Sequence, residues 1–330
     1  MDNNEPLEKK TKRKLNFHRI LPIALGCIIL GVCIWGIIRL IIWNQGEEYI
    51  IDPNVNVDTE TEDLVFFMSP AKTNPDYDGT LDILILGNDT VCYEDDEPSI
   101  ADMLAEQING NVYNCAFPGS YMGSQHPGDQ LDEHPLDRFS FMWLSHSIMF
   151  QDYAEQRNCI EMLPEHIDKE AYSEAITLLE SIDMNSIDLL LLYYDGHDYL
   201  AQNPLANPKD IYDSETIEGA FTGSYERYPI NYPNMQHMLI SPTFCYVYDE
   251  DGKREGCDIA NLGEGNLPTC MTTLQIQAET YNVSYLDNFY GIDINAETAD
   301  KYLLEDGITP NAEARKMIAD RIAKYINIRL

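Results

Sequence analysis

Four short polar stretches follow apolar runs in this chain, and each carries residues that can do chemistry. After Ile83, Leu84, Ile85, Leu86 and Gly87 come Asn88, Asp89 and Thr90; "NCAFPGS" brings Gly119; "YYDGHDYL" brings Asp195, His197 and Asp198; "LEDGITPN" brings Asp306 and Thr309. Carboxylates and an imidazole held together could exchange protons or hold a divalent cation. A threonine hydroxyl beside them could serve as a nucleophile once a base removes its proton, and a glycine leaves its backbone N–H open to a ligand. The acidic residues and His197 lack ligand spacing on any one element, so the pattern indicates no metal.

Position makes these stretches a set. A continuous apolar run marks a parallel strand covered on both faces, and open α/β sheets bind their ligands beyond the carboxyl ends of such strands. The pattern predicts a strand over Leu81–Leu86, a helix over Pro98–Ile108 and a strand over Val112–Ala116. A helix over Lys169–Ile182 then feeds a strand over Ile187–Tyr194. A third unit has strands at Met238–Ser241 and Val283–Leu286 around a helix at Met271–Tyr281, and a last helix begins near Pro310. Ala314, Met317, Ile318, Ile322 and Tyr325 recur there at helical spacing. This alternation predicts one α/β domain over residues 79–330, a parallel sheet in three layers with helices on both faces, and all four polar stretches converging on one crevice. There is no internal repeat and no glycine-rich phosphate loop.

Ahead of the domain the composition changes. Residues 20–43, "ILPIALGCIILGVCIWGIIRLIIW", are almost wholly apolar and as a helix would span a hydrocarbon core of about 30 Å. Lys9, Lys10, Lys12, Arg13, Lys14 and Arg19 precede them. The positive-inside rule then predicts a cytoplasmic tail over 1–19, a single transmembrane anchor over 20–43, a polar stalk over 44–78 with one short strand at Leu64–Met68, and the domain outside the cell membrane. A cleaved signal peptide is the competing reading; the apolar run exceeds the roughly 7–15 residues of a typical signal core, and no small-residue cleavage site follows.

The formal charge is −35, and beyond residue 45 there are 14 basic and 53 acidic residues. Such a surface repels nucleic acid and anionic lipid, which excludes nucleic acid as a partner, and no cofactor is indicated. Of eight cysteines, Cys27 and Cys33 fall in the apolar run and the other six form no C-x-x-C pair. In "CYVYDEDGKREGC" a three-residue loop of Glu250, Asp251 and Gly252 sets Cys245 opposite Cys257. A disulfide across the hairpin is one expectation; the alternative of two free thiols is favoured, because this is a hydrogen-bonded position, less suited to the short S–S geometry.

Residues 120–165 interrupt the alternation and hold His126, His134 and His146, with His166 just beyond. Their spacings of 8, 12 and 20 are not those of metal ligands, so they read as surface or satisfied core histidines. "FSFMWLSHSIMF" within this stretch reads as a short helix on the sheet edge.

A Gly-polar-polar turn after strand one, Asn-x-x-x-Pro-Gly after strand two, Asp-Gly-x-Asp after "IDLLLLYY" and Asp-Gly-Ile-x-Pro-Asn before the last helix, in that order, resemble the SGNH, or GDSL-like, hydrolases. "HPLDRFSFMWLSHSIMFQD" and "YNVSYLDNF" look like parts of membrane-anchored bacterial members, and the likeness runs over roughly residues 80–327. It implies a flavodoxin-like three-layer α/β fold and an ester hydrolase or acyltransferase site. On the family pattern Asn88 falls on the Asp of Gly-Asp-Ser, Asp89 on the nucleophilic serine, and Gly119 on the glycine of the second motif. Asp195-Gly196-His197-Asp198 takes the place of Gly-x-Asn-Asp, with His197 on the oxyanion-binding asparagine, while Asp306 matches the family Asp and Thr309 replaces the general-base histidine.

Each replacement has a consequence. A carboxylate at 89 gains no nucleophilicity from losing a hydroxyl proton, Thr309 has no group that titrates near pH 7, and an anionic Asp89 disfavours an oxyanion in the same pocket. A shift of one residue after Gly87 would put Asp89 on the family Asp and Thr90 on the nucleophile, still without a base at Thr309. Asp89, Asp198 and Asp306 with His197 could instead form an acid/base or divalent-cation site. The expectation carried forward is a catalytically degenerate binding or accessory module of the cell envelope, with a glycan or a membrane acyltransferase as partner. If the topology is right, protease added to intact cells removes the domain; protection until lysis would refute it.

Overall fold

Five apolar runs become the strands of one parallel sheet in the computed structural model, which describes residues 29–36, 63–93 and 95–329. The strands in chain order are β1 (Leu81–Gly87), β2 (Gly110–Asn114), β3 (Leu189–Tyr193), β4 (Gln236–Ile240), a small antiparallel hairpin of β5 (Tyr246–Tyr248) and β6 (Arg254–Gly256), and β7 (Ser284–Leu286). The parallel sheet has the order β2-β1-β3-β4-β7. Its two faces are set by the alternation of side chains along each strand. Ile83, Ile85, Leu189, Leu191 and Met238 lie on one face; Leu84, Leu86, Leu190, Leu192 and Leu239 lie on the other.

The longer helices of the domain are α1 (Ile100–Gln107), α2 (Phe141–Phe150), α3 (Lys169–Ser181), α4 (Ile217–Tyr225), α5 (Leu267–Thr280) and α6 (Ala312–Arg329). α1 and α6 cover the first face with Ile100, Leu104, Ile318, Ile322 and Ile326. The other four cover the second face through residues such as Phe141, Ile176, Phe221 and Met271. Each such side chain moved out of water contributes about 1.5–3 kcal/mol. The expected three-layer α/β architecture is therefore present. Helix starts carry local signals: Ser99 and Asp102 form a capping box at α1, and Asp168, Thr216 and Asn266 cap α3, α4 and α5.

Several expectations differ from the structure in detail. α4 had no counterpart in the sequence reading, because Gly219, Gly223 and a run of Thr and Ser weaken its helical pattern; it forms because Ile217, Ala220, Phe221 and Tyr225 are buried. α2 packs on α4 over a sheet face rather than at an edge, with Phe141 close to Tyr194, Phe221 and Tyr225. Residues 63–78, expected as the end of the stalk, lie on the domain: Leu64 bridges Tyr285 of β7, and Val65 and Phe67 are buried while Leu64, Phe66 and Met68 are exposed. The period-two alternation of this stretch is that of an edge strand, and Arg321 of α6 fixes its start through Asp63 at 2.7 Å.

The hairpin has the expected register, with Tyr246 opposite Gly256 and Gly252 in the left-handed region at φ 76°. Cys245 and Cys257 are free thiols, and the Cys257 N–H donates to the Cys245 carbonyl at 3.0 Å.

The chain divides into two units, Met1–Asp58 and Thr59–Leu330. In the first, residues 29–36 are helical. Among the described residues no helix is long and apolar enough to cross a membrane. The expected tail over 1–19 and most of the expected anchor over 20–43 lie outside the described residues.

Arg315 is the largest fully buried side chain. Its guanidinium donates to Asp95 at 2.7 Å and to the carbonyls of Pro98, Glu97 and Pro310 at 3.1–3.2 Å. It thereby joins the loop after β1 to the loop before α6. Arg315→Met should lower stability by about 3 kcal/mol, since four hydrogen bonds from one buried guanidinium are lost together. Thermal unfolding checks this; a midpoint within a degree of the parent would contradict it.

Candidate functional site

The sheet register brings the site together. Gly87 of β1 pairs with Tyr193 of β3, so two residues further on Asp89 comes beside Asp195. Strands can approach this closely because position 87 is glycine: a Cβ there would lie 2.2 Å from the Tyr193 carbonyl oxygen. β1 and β3 each release into a four-residue helical turn, Asp89–Cys92 and His197–Leu200.

Asp195 is the hub. Its Oδ1 accepts from Asn88 Nδ2 at 2.8 Å, from the His197 backbone N–H at 3.0 Å and from His197 Nδ1 at 2.5 Å; its Oδ2 accepts from the Thr90 hydroxyl at 2.9 Å. Asn88 Oδ1 in turn accepts the Asp195 N–H at 3.1 Å, and its Nδ2 also reaches the Ser120 carbonyl at 3.2 Å. Burial alone would raise the Asp195 pKa, but the hydrogen bond and charge of His197 hold it below the usual carboxylate range. Burial alone would lower His197; the hydrogen bond and charge of Asp195, with Asp89 and Asp198 behind them, carry it to about 9. The two shifts agree on an aspartate–imidazolium pair at neutral pH.

Asp89 occupies the serine position of the family pattern, half-buried. Its Oδ2 accepts the Gly119 N–H at 2.6 Å. Gly119 can point that N–H inward because it holds φ at 78°. Burial raises the Asp89 pKa and the Asp195 charge adds to that, with the Gly119 N–H and His197 opposing. Gly119, the glycine of the second motif, therefore gives its N–H to a carboxylate of the chain itself.

The remaining expected residues divide. Asp198 is buried away from the crevice surface, accepting from the N–H groups of Met122 and Gly123 and from Asn203 Nδ2 at 2.8–3.0 Å; burial pushes its pKa up to about 6. Its work is to hold the loop that follows Gly119. Asp306 and Thr309 bond to each other, Thr309 Oγ1 donating to Asp306 Oδ2 at 2.5 Å, and among the described residues no hydrogen bond links either to Asp89, Asp195 or His197. Thr90 is 1 % exposed with its hydroxyl given to Asp195, so it presents no nucleophile to the crevice.

Tyr121 was not among the sequence candidates. Its ring meets His197 edge-on at 6.4 Å, and burial followed by the charges of Asp198, Asp89, Asp137 and Asp195 raises its pKa. Its place two residues past Gly119 was the available signal. Of the scattered histidines, His126 pairs with buried Asp137 at 2.9 Å and stacks on His134 at 3.3 Å, while His146 and His166 are exposed.

Among the described residues one group could offer three metal ligands, Asp89, Asp195 and His197, with ligand atoms within 4.8 Å of one another. A cation there would have to displace donors already on both oxygens of Asp195 and the proton on His197, so the donor set fits an ion pair better than a metal. Chemically the arrangement offers an imidazolium and a carboxylate to a ligand, while the Thr90 hydroxyl on Asp195 is buried. His197 should titrate near pH 9 by NMR, and Asp195→Asn should return it toward the ordinary value of about 6.5. Because its folded pKa is raised, its contribution to stability is complete below about pH 6.5 and is lost as pH rises through 9. A midpoint near 6.5 in the parent would contradict the ion pair.

No family model matches the chain. No curated protein matches either. Among solved structures, one crystal structure superposes with a TM-score of 0.52 at 14% identity, covering 76% of this chain and 97% of the other. A structure described as a possible lipase from Chitinophaga pinensis gives 0.45 at 14% identity, covering 75% and 98%. The lipase/acylhydrolase from Enterococcus faecalis gives 0.41 at 12%, covering 76% and 97%. At 14% identity the likeness to the first of these is one of fold: the domain shares with it a three-layer α/β architecture around a parallel sheet.

Proposed function

We propose that this chain is a single-pass membrane protein whose SGNH-like domain stands outside the cytoplasm as a binding or accessory module of the cell envelope, without serine-type ester hydrolysis. One observation carries the catalytic part: the Asp89 carboxylate sits at the nucleophile position and takes the Gly119 N–H at 2.6 Å. An acyl substrate would bring its carbonyl oxygen to a donor already held by an anion, and charge developing there would be repelled. The protonated His197 supplies no base below about pH 9. Anchoring rests on the apolar run over residues 20–43 and the basic residues before it. The occupant of the crevice is proposed to be an envelope glycan, or a segment of a membrane acyltransferase that the domain assists.

The full chain in detergent should leave activated acetyl esters at the background rate and resist fluorophosphonate, since loss of one triad member alone costs on the order of a million-fold in turnover. The double variant Asp89→Ser with Thr309→His restores a hydroxyl, frees the Gly119 N–H and gives Asp306 an imidazole partner; it should gain fluorophosphonate labelling. Hydrolysis by the parent that is abolished by Thr90→Ala, by Asp89→Asn or by a chelator would overturn the non-catalytic reading and name the group responsible.

A further inference from the structure

A second cavity lies away from the crevice, against α2. Trp143, His146 and Phe150 stand at helical spacing along one face of that helix and form one wall; Arg138, Asp152 and Glu155 are among the residues opposite. The enclosed volume is about 260 Å³. The wall is fixed in place. The Trp143 indole N–H donates to Ser124 Oγ at 2.9 Å, and its ring lies so close to residue 128 that a Cβ on that glycine would come within 2.9 Å. Phe150 is 67% exposed and meets the His146 ring edge-on at 4.8 Å.

The hydrogen-bonding inventory decides what could bind. Arg138 is spent on Asp132 and Glu155, and Gln156 Nε2 on the Arg138 carbonyl at 3.1 Å. Ser147 gives its hydroxyl to Gln156 Oε1 at 2.9 Å. Asp152 uses Oδ1 to accept the Ala154 N–H, whereas its Oδ2 and Glu155 Oε1 accept from no described residue. Burial, then the charge of Arg227, lowers the His146 pKa, so that ring is neutral at pH 7. Apart from His146, then, the cavity offers the rings of Trp143 and Phe150 and two free carboxylate oxygens, while its one guanidinium is turned to Asp132 and Glu155. Two carboxylates against one paired guanidinium disfavour an anion. A cation clothed in alkyl groups finds both apolar surface and unsatisfied negative charge.

We propose that this cavity binds an organic ammonium group, its alkyl substituents against Trp143 and Phe150 and its charge matched by Asp152 and Glu155. Aromatic faces attract such cations through the ring quadrupole. The formal charge of −35 on the chain raises the local concentration of any cation. This site is independent of the crevice and of its proposed role.

Trp143 is one of three tryptophans, the others being Trp35 and Trp43. The full chain carrying Trp35→Phe and Trp43→Phe, in a maltoside detergent, therefore reports on the cavity by its emission. Tetramethylammonium and choline should each change that emission saturably, while potassium at equal ionic strength should not. 3,3-Dimethylbutanol, choline's uncharged carbon analogue, should bind at least tenfold more weakly. Phe150→Ala and Glu155→Gln, both at exposed positions, should weaken choline roughly threefold to thirtyfold each with folding unchanged. Phosphocholine binding as tightly as choline assigns the cavity to a headgroup, and its exclusion assigns it to a free solute; both uphold the ammonium class. A response shared by potassium, equal binding of the uncharged analogue, or indifference to both variants overturns the proposal.

Discussion

The hydrogen bonds of Asp195 are the constraint around which the site is organised. A carboxylate taken out of water costs several kcal/mol unless donors replace the water it lost, and here those donors come from two parts of the chain: Asn88 and Thr90 after β1, and His197 after β3. The pairing of β1 with β3 and the chemistry at their ends are thus one arrangement. Replacing Asp195 by a residue that cannot accept four hydrogen bonds would leave an amide, a hydroxyl and an imidazolium without partners at once. Asn88, which reads on the family pattern as a lost acid, is in this light a complementary partner: its amide gives a proton to Asp195 and its carbonyl takes the Asp195 N–H.

That reciprocity changes how the substitutions in the motifs are understood. Two carboxylates at 88 and 195 would repel each other in a buried space, whereas an asparagine and an aspartate satisfy one another. His197 likewise could not sit charged beside Asp195 without that aspartate being ionised. Asn88, Asp195 and His197 form a consistent set, in which each residue type depends on the other two. Asp89 is held separately by the Gly119 backbone, and its raised pKa records its burial first and the neighbouring Asp195 charge second. The site is well satisfied as it stands, a state suited to holding its shape and unsuited to the exposed, activated hydroxyl that acyl transfer demands.

Much of this fold was legible in the sequence because the physics is local. The continuous apolar runs of β1 and β3 and the spacing in α6 announce themselves within a dozen residues, and the hairpin register followed from a three-residue loop with glycine at its left-handed position. What could not be read depends on contacts between distant segments. α4 is rich in Gly, Thr and Ser and owes its helix to burial among Phe141 and Tyr281. The pattern at Leu64–Met68 indicated extended chain, but not that Leu64 bridges Tyr285, more than 200 positions away. For the site, the sequence located Asn88, Asp89, Gly119, Asp195 and His197 at the strand ends, but it could not show that Asp198 turns inward to support a loop, or that Thr90 is spent on Asp195. Spacing gives the address of a side chain and leaves its direction to packing.

The burial of Arg315 bears on how the domain comes into being during synthesis. The guanidinium that secures the loop after β1 belongs to the last helix, and the same helix covers Ile83, Ile85 and Leu191 on its side of the sheet. At about 5–20 residues per second, the interval between completion of α1 and arrival of α6 is on the order of 10–40 s. Throughout it, one face of the growing sheet has α1 as its only helical cover, and the strands that have already emerged present apolar surface to whatever surrounds them. A chain whose first loop waits for the eighteen residues of α6 is one that a stop before that helix would leave with its site unformed and its sheet exposed, however much of the domain had been made.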